Sequence, residues 1–223
     1  MMPGRTAAAA CLVLALAAAV TVAAAPVADD PAAAWLGHAR KCLAGVRSIS
    51  ARFSQDLVHP LGDRGAPETG TLELRRGGRL RLDYDAPNRR QVACDGRMVR
   101  SWDPASRLFV EQPATRDLLS AFALVAGDEP GTALSARFLG GAREPEPGGG
   151  RGVIALTPAG DHPLVERVVL VLEPSCPGVA RVVVVDGRGA ALRLTFSAVR
   201  ENPGIGHRRF VLEPPAGVKV VRP

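Results

Sequence analysis

Apolar and polar residues alternate with a period of two along most of the chain beyond residue 50. In the stretch ALRLTFS, for example, apolar side chains recur from Leu192 to Phe196, with Arg193 and Thr195 between them. This alternation is typical of a β-strand with one buried face. About eleven such runs, bounded by Gly, Pro, Asp or Asn, are predicted near 51–58, 69–75, 79–85, 90–94, 97–102, 107–112, 152–157, 165–172, 180–185, 190–199 and 208–213.

Hairpin turns are predicted at three places where glycine follows a polar residue. These turns are Arg76-Gly77-Gly78, Asp95-Gly96 and Asp186-Gly187. Residues 133–139 fit either a short helix or a strand, and 143–152 is expected to be a mobile loop.

Two segments have the helical period instead. Residues 31–48 begin with Pro31, which suits a first helical turn, and place Trp35, Leu36 and Leu43 on one apolar face. Residues 115–128 form the second predicted helix, with an N-cap at its first residue. Its apolar stripe consists of Leu118, Leu119, Phe122 and Val125.

The order of these elements predicts a mainly β fold with α: a helix, six strands, a helical insertion and about five more strands. Consecutive antiparallel strands of this kind form a single curved sheet or a barrel. Both amphipathic helices need an apolar surface to cover, and we expect that surface to be the inner face of the sheet.

The first 24 residues resemble a secretory signal peptide: Arg5 precedes a run of Leu, Val and Ala, and small residues close it at Ala24. We expect cleavage after Ala24 and a single domain over 25–223, and a retained membrane anchor is the alternative. Export predicts a periplasmic location and an oxidising compartment. Cys42, Cys94 and Cys176 would remain, so at least one is unpaired, and the sequence leaves the pairing open.

Charge and composition narrow the range of functions. The formal net charge is +6, and loss of Arg5 would make it +5. A positive surface could attract anionic membranes or acidic partners, but a solvated, arginine-rich surface is the simpler interpretation. Export and the lack of a basic-aromatic motif argue against nucleic-acid binding.

Enzymatic chemistry finds little support. The four histidines have no partner at metal-ligand spacing, and no nucleophile elbow, phosphate-binding loop or dinucleotide fingerprint occurs. Cys94 could act as a nucleophile only with a distant histidine. We therefore expect no catalysis, no metal and no cofactor.

The segment 71–85 combines an apolar and a charged face. The even positions hold Leu72, Leu74, Leu80 and Leu82, and the run closes with Tyr84. Arginines and acids occupy most of the odd positions. We expect the apolar side to line a concavity and the charged side to meet water. Arg76 shares the parity of the leucines but lies at the turn, so it is either a solvated turn residue or a cation at the rim of the concavity.

Four segments taken in order resemble the periplasmic outer-membrane lipoprotein carrier family, LolA. They are FSQ at 53–55, GTLELRRGGRLRLDYDAP at 70–87, CDGRMVRSWDPASRLFVEQP at 94–113 and FVLEPPAGVKVV at 210–221. The resemblance implies an incomplete, half-open β-barrel whose helices form a lid over an apolar cavity. It also implies that Arg76 hydrogen-bonds to the lid and holds it closed.

The resemblance further implies a carrier that takes acyl chains of lipoproteins from an inner-membrane ABC-type release complex to an outer-membrane receptor or membrane, and that acts as a monomer. A carrier of another amphiphile, such as a glycolipid, and a lipid- or partner-sensing regulatory module remain alternatives. The predicted cavity wall is Leu72, Leu74, Leu80, Leu82, Tyr84 and Val92. The predicted lid face is Trp35, Leu36, Leu43, Leu118, Leu119, Phe122 and Val125.

Four positions depart from the family pattern. Gly77 replaces a proline, Leu80 and Leu82 replace a phenylalanine and a tryptophan, and Arg100 replaces a tryptophan. The implied cavity is therefore aliphatic, and its cargo is left open.

Overall fold

The structure, a computed structural model, describes residues 30–59, 65–114, 134–158 and 165–222. One α-helix, α1, spans Pro31–Leu43, and a 3₁₀-helix spans His207–Phe210. The strands are β1 (Ser48–Val58), β2 (Glu68–Arg75), β3 (Arg79–Tyr84), β4 (Gln91–Asp95), β5 (Met98–Asp103), β6 (Leu108–Pro113), β7 (Leu134–Gly141), β8 (Gly152–Pro158), β9 (Arg167–Leu172), β10 (Val179–Val185), β11 (Ala191–Glu201) and β12 (Val220–Val221).

The strands form one open sheet in the order β12-β6-β5-β4-β3-β2-β1-β11-β10-β9-β8-β7. Neighbours are antiparallel except for β12, which runs parallel to β6. The pairing of β1 with β11 joins strands β1–β6 to strands β7–β11, with Phe53 opposite Phe196. The predicted class, a mainly β fold with one open sheet and an N-terminal helix, is confirmed.

Some predicted elements differ in detail. Of the segment 133–139, whose sequence fits either a helix or a strand, residues 134–139 lie in β7. The short β12 brings the described strands to twelve. The strand predicted at 208–213 is wrong: the chain there forms a 3₁₀ turn and then extended coil. The predicted helical insertion at 115–128 lies outside the described residues.

The β2–β3 hairpin turns at Arg76-Gly77-Gly78. Gly77 and Gly78 have φ angles of +85° and +69°, a region that costs a residue with a Cβ but costs glycine little. The turn sets Leu72 opposite Leu82 and Leu74 opposite Leu80, so their side chains share one face of the sheet.

Helix α1 starts at a defined cap. The Asp30 carboxylate accepts a 3.0 Å hydrogen bond from the Ala32 amide, and Pro31 fills the first turn, where no amide partner is needed. Trp35 is fully buried, and its Nε1 donates to the Ala142 carbonyl at 2.8 Å. A Cβ at Gly152 would lie 2.4 Å from Cε2 of Trp35, so only glycine lets the indole lie on β8.

A C-terminal segment covers part of the opposite face of the sheet. Leu212 is buried there with Ala93 and Phe109, and Phe210 of the same segment is also buried. Apolar side chains of the segment therefore form a second, smaller core beside β4 and β6.

The same segment corrects the expectation that the charged face of 71–85 meets water. Arg81 is only 6 % exposed and pairs with Asp83 at 2.8 Å. Arg209 from the C-terminal segment forms ion pairs with Asp83 and Glu73. These charges are arranged in pairs because burial of an unpaired charge is costly.

Candidate apolar binding site

The inner face of the sheet gathers the predicted wall residues into one apolar cluster. Leu72, Leu74, Leu80 and Leu82 are between 1 % and 7 % exposed. Tyr84 and Val92 are half-buried and pack against the same cluster. Whether these side chains contact cargo stays a prediction, but they lie together on one face.

Tyr84 forms a polar edge to this wall. Its hydroxyl donates to Oε1 of Gln55 at 2.7 Å, its ring meets Phe53 edge-on at 5.2 Å, and the Arg90 guanidinium lies 4.6 Å from the ring centroid. Burial raises the pKa of Tyr84, against the opposing influence of Arg90. The phenol therefore stays protonated and orients the ring as a fixed part of the wall.

Helix α1 supplies three of the predicted lid residues. Trp35 and Leu43 are buried, and Leu36 is half-buried against the same cluster. The other four predicted lid residues, Leu118, Leu119, Phe122 and Val125, lie outside the described residues.

Arg76 reaches from the β2–β3 turn to the last turn of α1. Its Nε donates to the Val46 carbonyl at 2.7 Å, and its Nη2 donates to the carbonyls of Leu43 at 2.9 Å and Ala44 at 3.0 Å. The last carbonyls of a helix lack partners within the helix and carry partial negative charge, so a guanidinium is well suited to bind them. The partner of Arg76 among the described residues is thus the end of the first helix, and its role as a lock stays a prediction.

A disulfide fastens the same end of α1 from another direction. Cys42 is bonded to Cys176, in the turn between β9 and β10, across 134 positions of sequence. Cys42 is half-buried on the helix. The last turn of α1 is therefore held to the β2–β3 turn by hydrogen bonds and to the β9–β10 turn by a covalent bond.

Cys94 is the unpaired cysteine of the described residues. It is fully buried, and that burial raises the pKa of its thiol. A buried, protonated thiol is a poor nucleophile. Its place in the apolar cluster makes it a packing residue.

Two adjacent spaces lie beside the end of α1, and sequence reasoning missed both. One is a cavity of about 270 Å³ between β10 and β11, and the other is an apolar void of about 10 Å³ beneath Leu43. The local signal in the sequence is a set of small residues at Gly178, Ala180 and Ala198, but it identifies no cavity without the strand pairing.

Two negative findings concern only the described part of the chain. It holds no group of three or more His, Cys, Asp or Glu side chains placed to bind a metal ion. None of its helices combines the length and the apolar character that crossing a membrane requires.

Fold and site together define an open-sheet protein with a helix fastened over an apolar inner face. Residues 44–213 match the profile of the family described as outer membrane lipoprotein carrier protein LolA, and the chain belongs to this family.

Individual proteins agree with this membership. The outer-membrane lipoprotein carrier protein of Chromohalobacter salexigens is 28% identical over 81% of this chain and 83% of its own. That of Leptothrix cholodnii is 29% identical over 86% and 91%, respectively. The crystal structure of an uncharacterized conserved protein from Thermus thermophilus superposes with a TM-score of 0.52 and 13% identity, over 85% of this chain and 97% of that one, and shows the shared fold.

Proposed function

We propose that this chain is a periplasmic carrier that shelters the acyl chains of lipoproteins in the apolar space between sheet and helix. Membership of the LolA family and the names of the relatives support this function. The observation that carries it is the apolar inner face, on which Leu72, Leu74, Leu80 and Leu82 lie side by side in one cluster with Trp35 and Leu43 of α1.

Burial of hydrocarbon supplies the binding free energy. Each buried methylene contributes about 0.8 kcal/mol, so an acyl chain of about fourteen carbons gains roughly 11 kcal/mol. The attraction is non-directional, so an aliphatic wall accepts acyl chains that are attached to different proteins. No covalent bond needs to break at any step.

Release requires that part of this gain be offset. Opening α1 breaks the bonds from Arg76 to the carbonyls of Leu43 and Val46. Hydrogen bonds to charged groups contribute about 1.5–3 kcal/mol each, so cargo binding is weakened by the cost of opening, and closure favours expulsion of cargo. We propose that the chain receives cargo from an inner-membrane ABC-type release complex and delivers it to an outer-membrane receptor or membrane.

The predicted leader and location belong to the same proposal. Removal of residues 1–24 would release residues 25–223 into the periplasm as one domain, where the Cys42–Cys176 disulfide is stable. Amino-terminal sequencing of the protein from the periplasm should start at Ala25.

The experiment that tests carriage isolates the protein from its own periplasm and identifies what comes with it. Mass spectrometry should detect acylated polypeptide, and purified carrier should extract radiolabelled lipoprotein from inner-membrane vesicles into the soluble fraction. Recovery of a glycolipid without acylated polypeptide would mean that the cargo is another amphiphile and not a lipoprotein. A protein that carries neither, and extracts nothing from vesicles, is not a carrier.

A further inference from the structure

A slot opens between β10 and β11 beside the end of α1. In the described part of the chain, β10 pairs with β11 only as far as Arg181 opposite Thr195. Beyond that pair β11 continues to Glu201 along β1, while the start of β10 follows β9 with a bulge at Ala180. The two strands separate there because each follows its other neighbour.

The slot contains a cavity of about 270 Å³. This volume corresponds to roughly nine waters at ~30 Å³ each. Side chains from both faces of the sheet line it: Val179 and Phe196 pack with the inner cluster, whereas Arg181 and Thr195 lie on the opposite face. A gap through a sheet exposes both faces in this way, whereas a surface groove exposes one.

The inner end of the slot leads to the apolar cluster. Pro177, Val179, Phe196 and Val199 line both the slot and the void of about 10 Å³ behind it. That void has room for no more than one water, and its further lining is apolar. The lining on the far side is Leu43, Ile49, Ala51 and Leu72.

The outer mouth carries two guanidinium groups. Arg181 donates from Nε to Oγ1 of Thr195 at 2.9 Å, and Arg151 donates from Nε to Oε1 of Glu173 at 2.8 Å. The Arg151 side chain is 60% exposed. A guanidinium has five N–H donors and matches carboxylate and phosphate oxygens, so these side chains retain donors that a ligand can use.

We propose that this slot binds the acyl chain of a single-chain amphiphile whose headgroup carries an anionic oxygen. The chain points inward towards Leu43 and Leu72, and the headgroup meets Arg181 and Arg151 at the mouth. This inference goes beyond the proposed function: it adds a place for a single acyl chain that is reached without opening α1, and it names the headgroup chemistry.

The attachments of α1 favour this route. Arg76 and the Cys42–Cys176 disulfide hold the last turn of the helix in place. A chain that passes between β10 and β11 reaches the apolar cluster while both attachments stay intact; it must part Val179 from Phe196 at the constriction.

The test uses three probes with one chain length and a photoreactive diazirine at the chain end. Lysophosphatidylglycerol and a fatty acid supply phosphate and carboxylate headgroups, and monoacylglycerol is the neutral comparison. We expect at least one anionic probe to bind about tenfold more tightly than monoacylglycerol. Cross-linked peptides should contain Leu43, Ile49 or Leu72. Equal affinity of all three probes would overturn the headgroup assignment.

Two variants locate the site. Ala180→Phe fills the slot and should weaken binding of the preferred probe about tenfold. Ala191→Phe, at the other end of the β10–β11 pair, is the matched control and should leave the affinity unchanged. Arg181→Gln should bring the affinity for the anionic probe close to that for monoacylglycerol, and it tests the mouth without enlarging a side chain.

The outcomes separate this inference from the proposed function. Cross-links on Leu80, Leu82 or Val99, together with normal binding by Ala180→Phe, would place the chain elsewhere on the inner face; the slot would then be wrong and carriage would stand. Failure of the unaltered protein to bind any probe would remove the slot and leave carriage standing, whereas failure to extract lipoprotein would remove carriage alone.

Discussion

Arg76 lies 33 residues from Leu43 in sequence, yet its guanidinium donates a 2.9 Å hydrogen bond to the Leu43 carbonyl. The bond joins the turn between β2 and β3 to the last turn of the only described α-helix. It is one of three that Arg76 makes to the carbonyls at the end of α1. The physical consequence is that helix and sheet separate at this end only when charged hydrogen bonds break.

Arg76→Leu should leave the fold intact and change transfer of lipid. Loss of the guanidinium leaves the carbonyls of Leu43 and Val46 without their charged donor, so α1 should open more readily. We expect faster uptake of lipoprotein from donor vesicles and slower hand-over to acceptor vesicles, measured by stopped-flow fluorescence. Arg188→Leu, an exposed arginine of the β10–β11 turn, is the control and should transfer lipid normally. Transfer kinetics identical to those of the unaltered protein would remove Arg76 from the mechanism.

Replacement of both Cys42 and Cys176 by serine should lower the free energy of unfolding by about 2–5 kcal/mol, since the disulfide closes a long loop in the unfolded chain. Urea unfolding followed by circular dichroism measures the change. Alkylation of the denatured protein tests the pairing directly: Cys94 alone should react before reduction, and all three cysteines afterwards. Labelling of Cys42 without reductant would contradict the assignment.

Gly152→Ala should destabilise the contact between α1 and the sheet. The added Cβ would lie 2.4 Å from the Trp35 ring, and relief of that overlap should cost about 1–3 kcal/mol. Trp35 should move towards water, with a red shift of its fluorescence. Gly37→Ala, within α1, meets no atom within 4 Å and should instead stabilise the protein by about 0.4–1 kcal/mol. Equal effects of the two substitutions would show that close packing against Trp35 does not determine the change in stability.

Asp95 makes the stability of the fold depend on pH. Burial opposes its ionisation, but the hydrogen bond from Arg100 and those from the Met98 and Arg97 amides outweigh it and lower the pKa of Asp95 to about 2. Because the folded pKa lies below the unfolded value of 3.8, the contribution to stability is complete above about pH 4 and is lost as the pH falls towards 2.

The measurement compares the unaltered protein with Asp95→Asn across that range of pH. The difference in free energy of unfolding should be about 1 kcal/mol near pH 5, because solvent screens the pair, and should shrink as the pH approaches 2. Asp186→Asn is the control, because Asp186 caps the β10–β11 turn in a similar way through the amides of Arg188 and Ala190. A constant difference at every pH would mean that Asp95 acts through turn geometry alone.

The sequence predicted the strands well wherever alternation and turn chemistry agreed. The hairpin at Arg76-Gly77-Gly78 followed from its glycines, and the wall leucines followed from their parity within β2 and β3. The prediction at 208–213 failed because Phe210 and Leu212 alternate as in a strand and are buried, Leu212 beside Phe109, without pairing as a strand. Alternation reports which side chains are buried, and an extended coil can bury them as a strand does.

The sequence by itself determined the mainly β class, the apolar face and the place of Arg76 at a turn, because side-chain parity and glycine conformation act over a few residues. Only the tertiary structure decided that Cys42 pairs with Cys176, that Arg81 is covered by the C-terminal segment, and that β10 and β11 part beside α1. Each of these depends on contacts between residues far apart in sequence, set by the pairing of β1 with β11. The three described cysteines could form three different disulfides, and only the fold brings Cys42 and Cys176 together.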